Sequence, residues 1–428
     1  MLVFPDGFLW GAATAAHQVE GGNTNSDWWA WELRPGTPCV EPSGDAADHY
    51  HRYRDDVGLL AGLGLNTYRF SVEWARVEPA EGNVDEAALA HYRRVVEAVL
   101  ESGMIPMVTL NHFTLPRWVA QAGGWRSRST PARFGAYCRR VAQALGDAVP
   151  WYCTVNEPGV VAFGGYLDAF GFPPGTRSLR AWERAIAGLV EGHRRARSAV
   201  KELQPAARVG ATHSMQEWEA NGGGTPILDW MRWMNEDVFL RASEEDDFVG
   251  VQTYTRQRLD LPAWLGGASA VALRSRFGRR VLAQVLAAAS RSRVGLGRRS
   301  AEGRGARTTQ MGYEFRPEAI AATVRRAARL LPGREIVVTE HGIATADDTE
   351  RIEFIRRGLV ALHGLVEEGL PLRGYVHWSA MDNFEWARGY GMTFGLIGID
   401  RATQERTVKP SAWVLGEIAR RNALSVPA

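Results

Sequence analysis

Two glutamates, Glu157 and Glu340, stand directly after short apolar runs that are typical of buried β-strands. A pair of carboxyl groups that flanks one bond can cleave a glycoside: one protonates the leaving oxygen and the other acts on the oxocarbenium-like carbon. A single glutamate after a strand is equally typical of a helix cap or a charge at the rim. The interpretation therefore depends on whether the fold brings the two side chains to one cavity.

Eight such apolar runs alternate with longer segments of helical periodicity, which is typical of repeated β/α units around a parallel sheet. The predicted strands are Leu9–Ala13, Thr67–Ser71, Ile105–Leu110, Trp151–Val155, Arg208–Thr212, Phe248–Gln252, Ile336–Thr339 and Gly374–Trp378. The clearest predicted helices are Asp85–Glu101, Thr130 (as N-cap) to about Ala144, Ala181–Leu203 and Thr349–Glu368. We predict an α/β protein, a single-domain (β/α)8 TIM barrel over residues 1–428.

Polar residues mark the C-terminal ends of these strands, where barrels carry their chemistry. These residues are Arg69, Asn111, His112, Asn156, Glu157, His213, Tyr254, Glu340, His341 and Trp378. Strands four and seven lie across the barrel from each other, so Glu157 and Glu340 are predicted to face one pocket.

Six motifs occur in order along almost the whole chain. They are Phe4–Gly11 with Gln18–Gly21, Tyr68–Ser71, Thr109–Phe113, Asn156–Pro158, Thr339–Gly342, and Trp378–Ser379 with Asp382–Trp386. In this combination the chain resembles glycoside hydrolase family 1, the β-glucosidase family, from its first residues to about Glu417.

The resemblance implies a retaining β-glycosidase in which Glu340 is the nucleophile and Glu157 the acid/base. In retaining enzymes the two carboxyl groups lie about 5–5.5 Å apart. Arg69 is expected to keep Glu340 anionic, and Tyr254 to hydrogen-bond it. No cofactor or metal is implied.

The resemblance also implies a set of sugar-binding residues: Gln18, His112, Asn156, Tyr254, Trp378, Glu385 and Trp386. Family members that bind 6-phosphorylated sugars replace the pair Glu385-Trp386 and add a lysine. Both residues are present here, and a carboxylate repels a phosphate, so we predict a neutral hexoside, a glucoside or a related sugar. Transfer of the sugar to an acceptor alcohol, or a catalytically inactive sugar-binding protein, are the alternatives.

Two positions depart from the family pattern, which usually has Asn where this chain has Gln252 and His341. We expect Gln252 to lie near the acid/base Glu157 and to influence its orientation. His341, beside the nucleophile, is expected to add a group that titrates near pH 6.5.

An Arg-rich insertion at about residues 261–307 is predicted in the loop after strand six. Residues 271–307 alone carry a net charge of +9, against −7 for the rest of the chain. Leu273, Phe277, Val281 and Val285 form an apolar i, i+4 stripe. The alternatives are a solvated or partly disordered insertion, a lid over the aglycone pocket, and docking on a membrane surface, although Arg274 spoils the amphipathic pattern.

Composition excludes several other classes of protein. The formal net charge of +2 gives no basic field for nucleic acid. No apolar run is long enough to span a membrane, membrane contact is not expected, and no secretory signal is recognisable. Three cysteines without Cys-x-x-Cys spacing argue against disulfides and structural zinc and favour the cytoplasm. His49-x-His51 has a metal-like spacing, but residues i and i+2 of a helix point apart, so no metal site is predicted.

Overall fold

Eight parallel strands close into a barrel in the computed structural model, which describes residues 1–222, 224–261, 264–291 and 305–425. The barrel strands are β1 (Leu9–Ala13), β2 (Thr67–Ser71), β3 (Ile105–Thr109), β4 (Trp151–Asn156), β5 (Arg208–Ser214), β6 (Phe248–Gln252), β7 (Glu335–His341) and β8 (Leu372–Trp378). Each strand pairs with the next along the chain, and β8 pairs with β1. The predicted strand number and barrel fold are confirmed, with differences of at most two residues at any strand end.

Helices follow the strands and cover the outside of the barrel. The helices that connect the strands, with the one after β8, are α1 (His49–Leu63), α2 (Glu86–Glu101), α3 (Thr130–Leu145), α4 (Leu179–Leu203), α5 (Val238–Ala242), α6 (Ala319–Leu330), α7 (Asp348–Glu367) and α8 (Pro410–Arg421). Asp85 caps α2 by accepting hydrogen bonds from the amides of Ala87 and Ala88. The predicted N-cap Thr130 is instead the first residue of α3, because its hydroxyl donates to the carbonyl of Gly124 rather than capping the helix.

Shorter elements complete the described part of the chain. Further helices are Ala16–Val19, Asp27–Glu32, Trp74–Val77, Arg117–Gln121, Pro158–Tyr166, Thr225–Arg232, Trp264–Arg274 and Arg276–Arg291, with 3-10 turns at Gly124–Arg126, Gly146–Ala148 and Trp386–Gly391 and a π-helix at Trp233–Asp237. Strand pairs outside the barrel are Leu2–Val3 with Ala423–Leu424, Glu217–Gly222 with Arg256–Leu261, and Ile397–Ile399 with Arg406–Val408.

Two apolar clusters account for the rigidity of the barrel. One lies inside it and includes five residues from four strands: Met107, Trp151, Cys153, Phe248 and Val337. The other is a larger layer between the strands and the surrounding helices. Because the apolar side chains fill the interior, the polar side chains at the strand ends are held at a fixed mouth.

In the Arg-rich segment after β6, residues 264–291 form two helices, and the assignment of about 261–307 as an insertion stays a prediction. Phe277, Val281 and Val285 are 78%, 47% and 58% exposed, whereas Ala283 is buried. The side chain of Gln284 donates to the carbonyl of Arg177. Residues 292–304 of the predicted insertion lie outside the described residues.

Of the helices in the described ranges, none combines the length and the apolar character that crossing a membrane requires. The assignment of residues 1–428 to a single domain stays a prediction.

Candidate active site

Glu340 lies near the end of β7, and three side chains from other strands or strand ends donate hydrogen bonds to its carboxylate. Arg69 Nη1 lies 2.7 Å from Oε1 and Gln252 Nε2 lies 2.9 Å from the same oxygen. The phenol of Tyr254 donates to Oε2 at 2.5 Å. Donors that converge in this way stabilise the ionised form of a carboxyl group.

Asn156, the last residue of β4, is held in one orientation. Its Oδ1 accepts from Arg69 Nη2 at 2.6 Å, from Gln252 Nε2 at 2.8 Å and from the hydroxyl of Thr212 at 2.9 Å. The amide nitrogen of Asn156 therefore points the other way and donates to His112 Nε2 at 3.1 Å. The fixed direction of this bond leaves the other ring nitrogen of His112 as the N–H donor.

Glu157 follows directly and adopts a left-handed backbone conformation, with φ 44° and ψ 57°, before Pro158 opens the next helix. Residues other than glycine rarely adopt this backbone conformation, and those that do are often found at functional sites. Glu157 is buried, at 8% exposure. Burial raises the pKa of its carboxyl well above the ordinary value, and the negative charge of Glu340 raises it further, against a hydrogen bond from Ser214.

The two carboxyl groups thus have different surroundings. Burial also raises the pKa of Glu340, but the Arg69 guanidinium and the Tyr254 hydroxyl act in the opposite direction. Glu340 contacts a cation directly, and no cation forms an ion pair with Glu157 within the described ranges. The arrangement favours an ionised Glu340 beside a protonated Glu157.

The loop after β8 brings Glu385 and Trp386 over the same mouth. Gln18 ties this loop to β1, because its Nε2 donates to the carbonyl of Phe384 at 2.8 Å and to Asn383 Oδ1 at 3.0 Å. Trp378, at the end of β8, stacks on His112 with ring centroids 5.6 Å apart. Trp386 also stacks on His112, with ring centroids 6.1 Å apart, and Gln18 Nε2 lies 3.5 Å from the carboxyl of Glu385. The structure thus connects most of the predicted site residues through side-chain contacts, and the charges of Glu340 and Glu385 act on Glu157 beside them.

Trp386 is fixed by aromatic neighbours on several sides. Its ring lies 4.6 Å from Trp28, 4.9 Å from Phe113 and 5.6 Å from His17, to which it is almost parallel. It is 5% exposed. Its backbone φ of 50° lies in the left-handed region, so packing holds a conformation that a tryptophan rarely adopts.

Comparisons with known proteins agree with this geometry. The profile described as Glycosyl hydrolase family 1 matches residues 2–225 and 234–424. The chain belongs to glycosyl hydrolase family 1.

Individual relatives cover nearly the whole chain. Beta-glucosidase A of Thermotoga maritima is 32% identical over 448 residues, which is 98% of this chain and 98% of that protein. The bifunctional beta-D-glucosidase/beta-D-fucosidase of Bifidobacterium breve is 34% identical, with 96% of each covered. Among solved structures, the crystal structure of β-glycosidase BGL167 matches with a TM-score of 0.83. Its sequence is 40% identical to this chain, and 99% of both chains is covered. The predicted family, barrel fold and O-glycosyl hydrolase class are confirmed, and the two alternatives are not favoured.

Within this family 1 site, the two unusual residues behave differently from what the sequence predicts. The side chain of Gln252 donates hydrogen bonds to Asn156 and to Glu340, so it supports the carboxylate of Glu340. Among the described residues, no hydrogen bond joins Gln252 to Glu157. His341 is buried between β7, β8 and α7, and burial lowers its pKa to about 3. It does not titrate near pH 6.5, because an apolar surrounding disfavours the charged ring.

The prediction that Glu385 repels a phosphate as a carboxylate also needs correction. Burial, and then the charge of Glu340, raise the pKa of Glu385 to about 8. The group is therefore mostly protonated at pH 7 and mostly ionised only above pH 8, so charge repulsion at neutral pH is weak.

Sequence reasoning missed two neighbours of Glu157. Ser214, the last residue of β5, hydrogen-bonds Glu157 and opposes the rise of its pKa. Desolvation raises the pKa of the half-buried Tyr313, and the negative charges of Glu385 and Glu157 raise it further, so its phenol lies close to both groups. Ser214 lies two residues beyond the predicted strand Arg208–Thr212, so its place at the mouth of the barrel could have been inferred from the sequence. Tyr313 comes from a loop beyond the insertion, where no periodic pattern indicates the direction of a side chain.

The described part of the family 1 chain contains no group of three or more His, Cys, Asp or Glu residues placed to bind a metal ion. His49 bonds Asp56 at 2.7 Å inside the fold, and His51 is exposed at the start of α1.

Proposed function

We propose that the chain hydrolyses β-linked glycosides of neutral hexoses with retention of configuration, with Glu340 as nucleophile and Glu157 as acid/base. The observation that carries this proposal is the contrast between two neighbouring buried carboxyl groups. The carboxylate of Glu340 accepts hydrogen bonds from Arg69, Gln252 and Tyr254. Burial and the charge of Glu340, by contrast, favour the protonated form of Glu157. A retaining glycosidase needs this division before substrate arrives.

In the first step the ionised carboxylate of Glu340 attacks the anomeric carbon and forms an ester bond to the sugar. The bond to the aglycone oxygen breaks, and Glu157 gives its proton to that oxygen as it leaves. Positive charge that develops on the ring carbon is stabilised by the carboxylate, which Arg69 and Tyr254 hold in place.

In the second step water takes the position of the aglycone. The ester has removed the negative charge of Glu340, which is one cause of the raised pKa of Glu157. Glu157 therefore ionises more easily and accepts a proton from the attacking water. The anomeric carbon is released from Glu340, and both carboxyl groups return to their starting protonation states.

Buried polar atoms around the mouth are suited to sugar hydroxyl groups. Gln18 Oε1 and His112 Nδ1 are buried and have no hydrogen-bond partner among the described residues. Polar atoms of this kind are normally paired. One acceptor and one donor, with Trp378 as an apolar platform, match the face of a hexose, and an analogue that lacks a hydroxyl leaves them unpaired.

A neutral sugar also agrees with the distribution of lysine. The chain has two lysines, Lys201 and Lys409. Lys409 donates to both carboxylate oxygens of Asp382, and Lys201 pairs with Asp247. Neither is available to bind a phosphate at the 6-position. The three cysteines are free and buried, which is typical of a reducing compartment, and we propose that the enzyme acts in the cytoplasm.

The proposal is tested by following hydrolysis of 4-nitrophenyl β-D-glucoside by proton NMR. The β-anomer of the free sugar must form first, with the α-anomer appearing later by mutarotation. Glu340→Gln is expected to lower kcat by at least about 1,000-fold, by analogy with loss of a covalent nucleophile. Glu335→Gln is the matched control, because Glu335 lies at the opposite end of β7 and pairs with Arg208 and Arg373. Initial formation of the α-anomer, or equal rates for the two variants, would contradict the proposal.

A further inference from the structure

We propose that His341 is a positioning residue that directs Glu340 into the pocket from the outer side of the barrel. This inference rests on the proposed function, in which Glu340 is the nucleophile. His341 touches neither Arg69 nor Tyr254 in the described contacts of the site, so its effect must pass through the backbone of β7.

The first observation is an irregularity in β7 at the nucleophile. Its pairing with β6 shifts register between Val338 and Glu340, and its pairing with β8 shifts between Val338 and His341. Bulges of this kind bend a strand and re-aim a side chain, and they are frequent beside active sites. The carboxylate of Glu340 reaches Arg69 inside the barrel, while the His341 ring stacks on Phe354 of α7 outside it.

The second observation is that the His341 ring has one arrangement of protons. Its Nε2 lies 3.2 Å from the carbonyl of Pro317, which only accepts, so Nε2 carries the hydrogen. Nδ1 then accepts from the hydroxyl of Tyr375 at 3.1 Å. The same hydroxyl lies 3.5 Å from the backbone carbonyl of His341, and Nδ1 of His377 lies 3.4 Å from the Tyr375 oxygen. The ring thus connects the end of β7 to β8 and to the loop before α6.

The third observation is a space that α7 leaves for the ring. Gly358 lies inside this helix, and a Cβ at that position would lie 2.4 Å from Cε1 of His341. Glycine in a helix interior costs about 1 kcal/mol relative to alanine, so the site is unfavourable for the helix alone. The ring occupies the space, and Phe354 one turn earlier packs on it with centroids 4.5 Å apart.

These contacts fix the residue next to the nucleophile on three sides: a carbonyl, a hydroxyl and a helix surface. Without them, the bulge can relax and the carboxylate of Glu340 shifts relative to the anomeric carbon. A misplacement of about 1 Å can reduce a rate by about 100-fold. We therefore expect changes at His341 to slow the formation of the covalent intermediate rather than only to unfold the protein.

The test measures inactivation of the full chain by 2,4-dinitrophenyl 2-deoxy-2-fluoro-β-D-glucoside. The amplitude of released dinitrophenol counts the competent sites, and the rate constant reports attack by Glu340 in each site. Three variants are compared with wild type: His341→Phe, His341→Asn and Gly358→Ala. Gly364→Ala is the matched control, since a Cβ at Gly364 of the same helix meets nothing within 4 Å.

His341→Phe keeps the ring and removes both hydrogen bonds, and Gly358→Ala displaces the ring. Both are expected to lower the rate constant by about 10- to 100-fold with a full count of sites. His341→Asn is expected to recover part of the rate, because its side-chain oxygen can accept from Tyr375. Gly364→Ala keeps the wild-type rate constant.

Wild-type rate constants in His341→Phe and Gly358→Ala, with or without fewer competent sites, would overturn the inference and leave His341 a purely structural residue. A wild-type protein that is not labelled at Glu340 would instead overturn the proposed function, so the two failures are distinguishable.

Discussion

Arg69 and Glu340 form an ion pair that is almost completely withdrawn from solvent. Their side chains are 1% and 4% exposed, and the nitrogen and oxygen atoms lie 2.7 Å apart. In such surroundings an unpaired charge is strongly unfavourable. Arg69 also donates to Asn156 and to the carbonyl of Thr339, so one side chain connects β2, β4 and β7 at the mouth of the barrel.

Arg69→Met is expected to lower kcat/KM by at least about 100-fold, because the variant loses a preorganised charge beside the nucleophile. It is also expected to reduce the free energy of unfolding by about 3–5 kcal/mol, since Glu340 loses its buried partner. Enzyme kinetics and urea unfolding measure the two effects. Arg373→Met is the control, as its ion pair with Glu335 is half exposed, and a change of more than about 1 kcal/mol there would undermine the comparison.

Tyr254→Phe tests the hydrogen bond to Oε2 of Glu340. The bond lowers the pKa of Glu340, and catalysis needs the ionised form. Its loss raises the pKa of Glu340, so activity is lost at a higher pH on the acidic side of the profile. The acidic limb of kcat/KM against pH provides the measurement. An unchanged acidic limb would show that Tyr254 does not influence ionisation of the nucleophile.

Glu157→Ala removes the proposed proton donor and leaves the proposed nucleophile, Glu340, intact. Substrates with a poor leaving group are expected to lose far more rate than 2,4-dinitrophenyl glucoside, which needs little protonation. The basic limb of the pH profile should also vanish, because it reports ionisation of Glu157, whose raised pKa keeps it protonated at neutral pH. Azide is expected to restore turnover and to yield a β-glycosyl azide. Equal losses for good and poor leaving groups would speak against an acid at this position.

Glu385→Gln is expected to raise KM by about tenfold, which corresponds to the loss of one hydrogen bond worth about 1.4 kcal/mol. The wild-type KM should depend on pH near 8, where Glu385 ionises as pH rises, and the variant should lose that dependence. Michaelis constants for 4-nitrophenyl glucoside between pH 6 and 9 measure it. A pH dependence that persists in the variant would assign the titration to another group.

Much of this fold follows from local sequence signals. The strands are short apolar runs, and most of their ends are marked by polar residues, so even Thr67–Ser71 and Phe248–Gln252 are predicted with correct bounds. The N-cap of α3 is displaced by one residue, because Thr130 finds a partner outside its own helix. Tertiary hydrogen bonds of this kind leave no periodic trace in the sequence.

The roles of the candidate site residues stay predictions, and their electrostatics could not be predicted from the sequence. The motifs place the polar residues at the mouth, but they do not show how deeply each group is buried. Burial makes His341 neutral and Glu385 largely protonated at pH 7. The side chain of Gln252 reaches Glu340 rather than Glu157 because the irregular pairing of β7 sets Glu340 opposite Gln252. These properties depend on packing between distant segments.

The central claim is that Glu340 becomes covalently bound to the sugar. Mass spectrometry of peptides from enzyme treated with a 2-deoxy-2-fluoro-β-D-glucoside tests it most directly. We predict one added fluoroglucosyl group per chain, on the peptide that contains Glu340, and its loss when an acceptor restores turnover. A group attached to Glu157 or to another residue, or continued turnover without any attached sugar, would contradict the account.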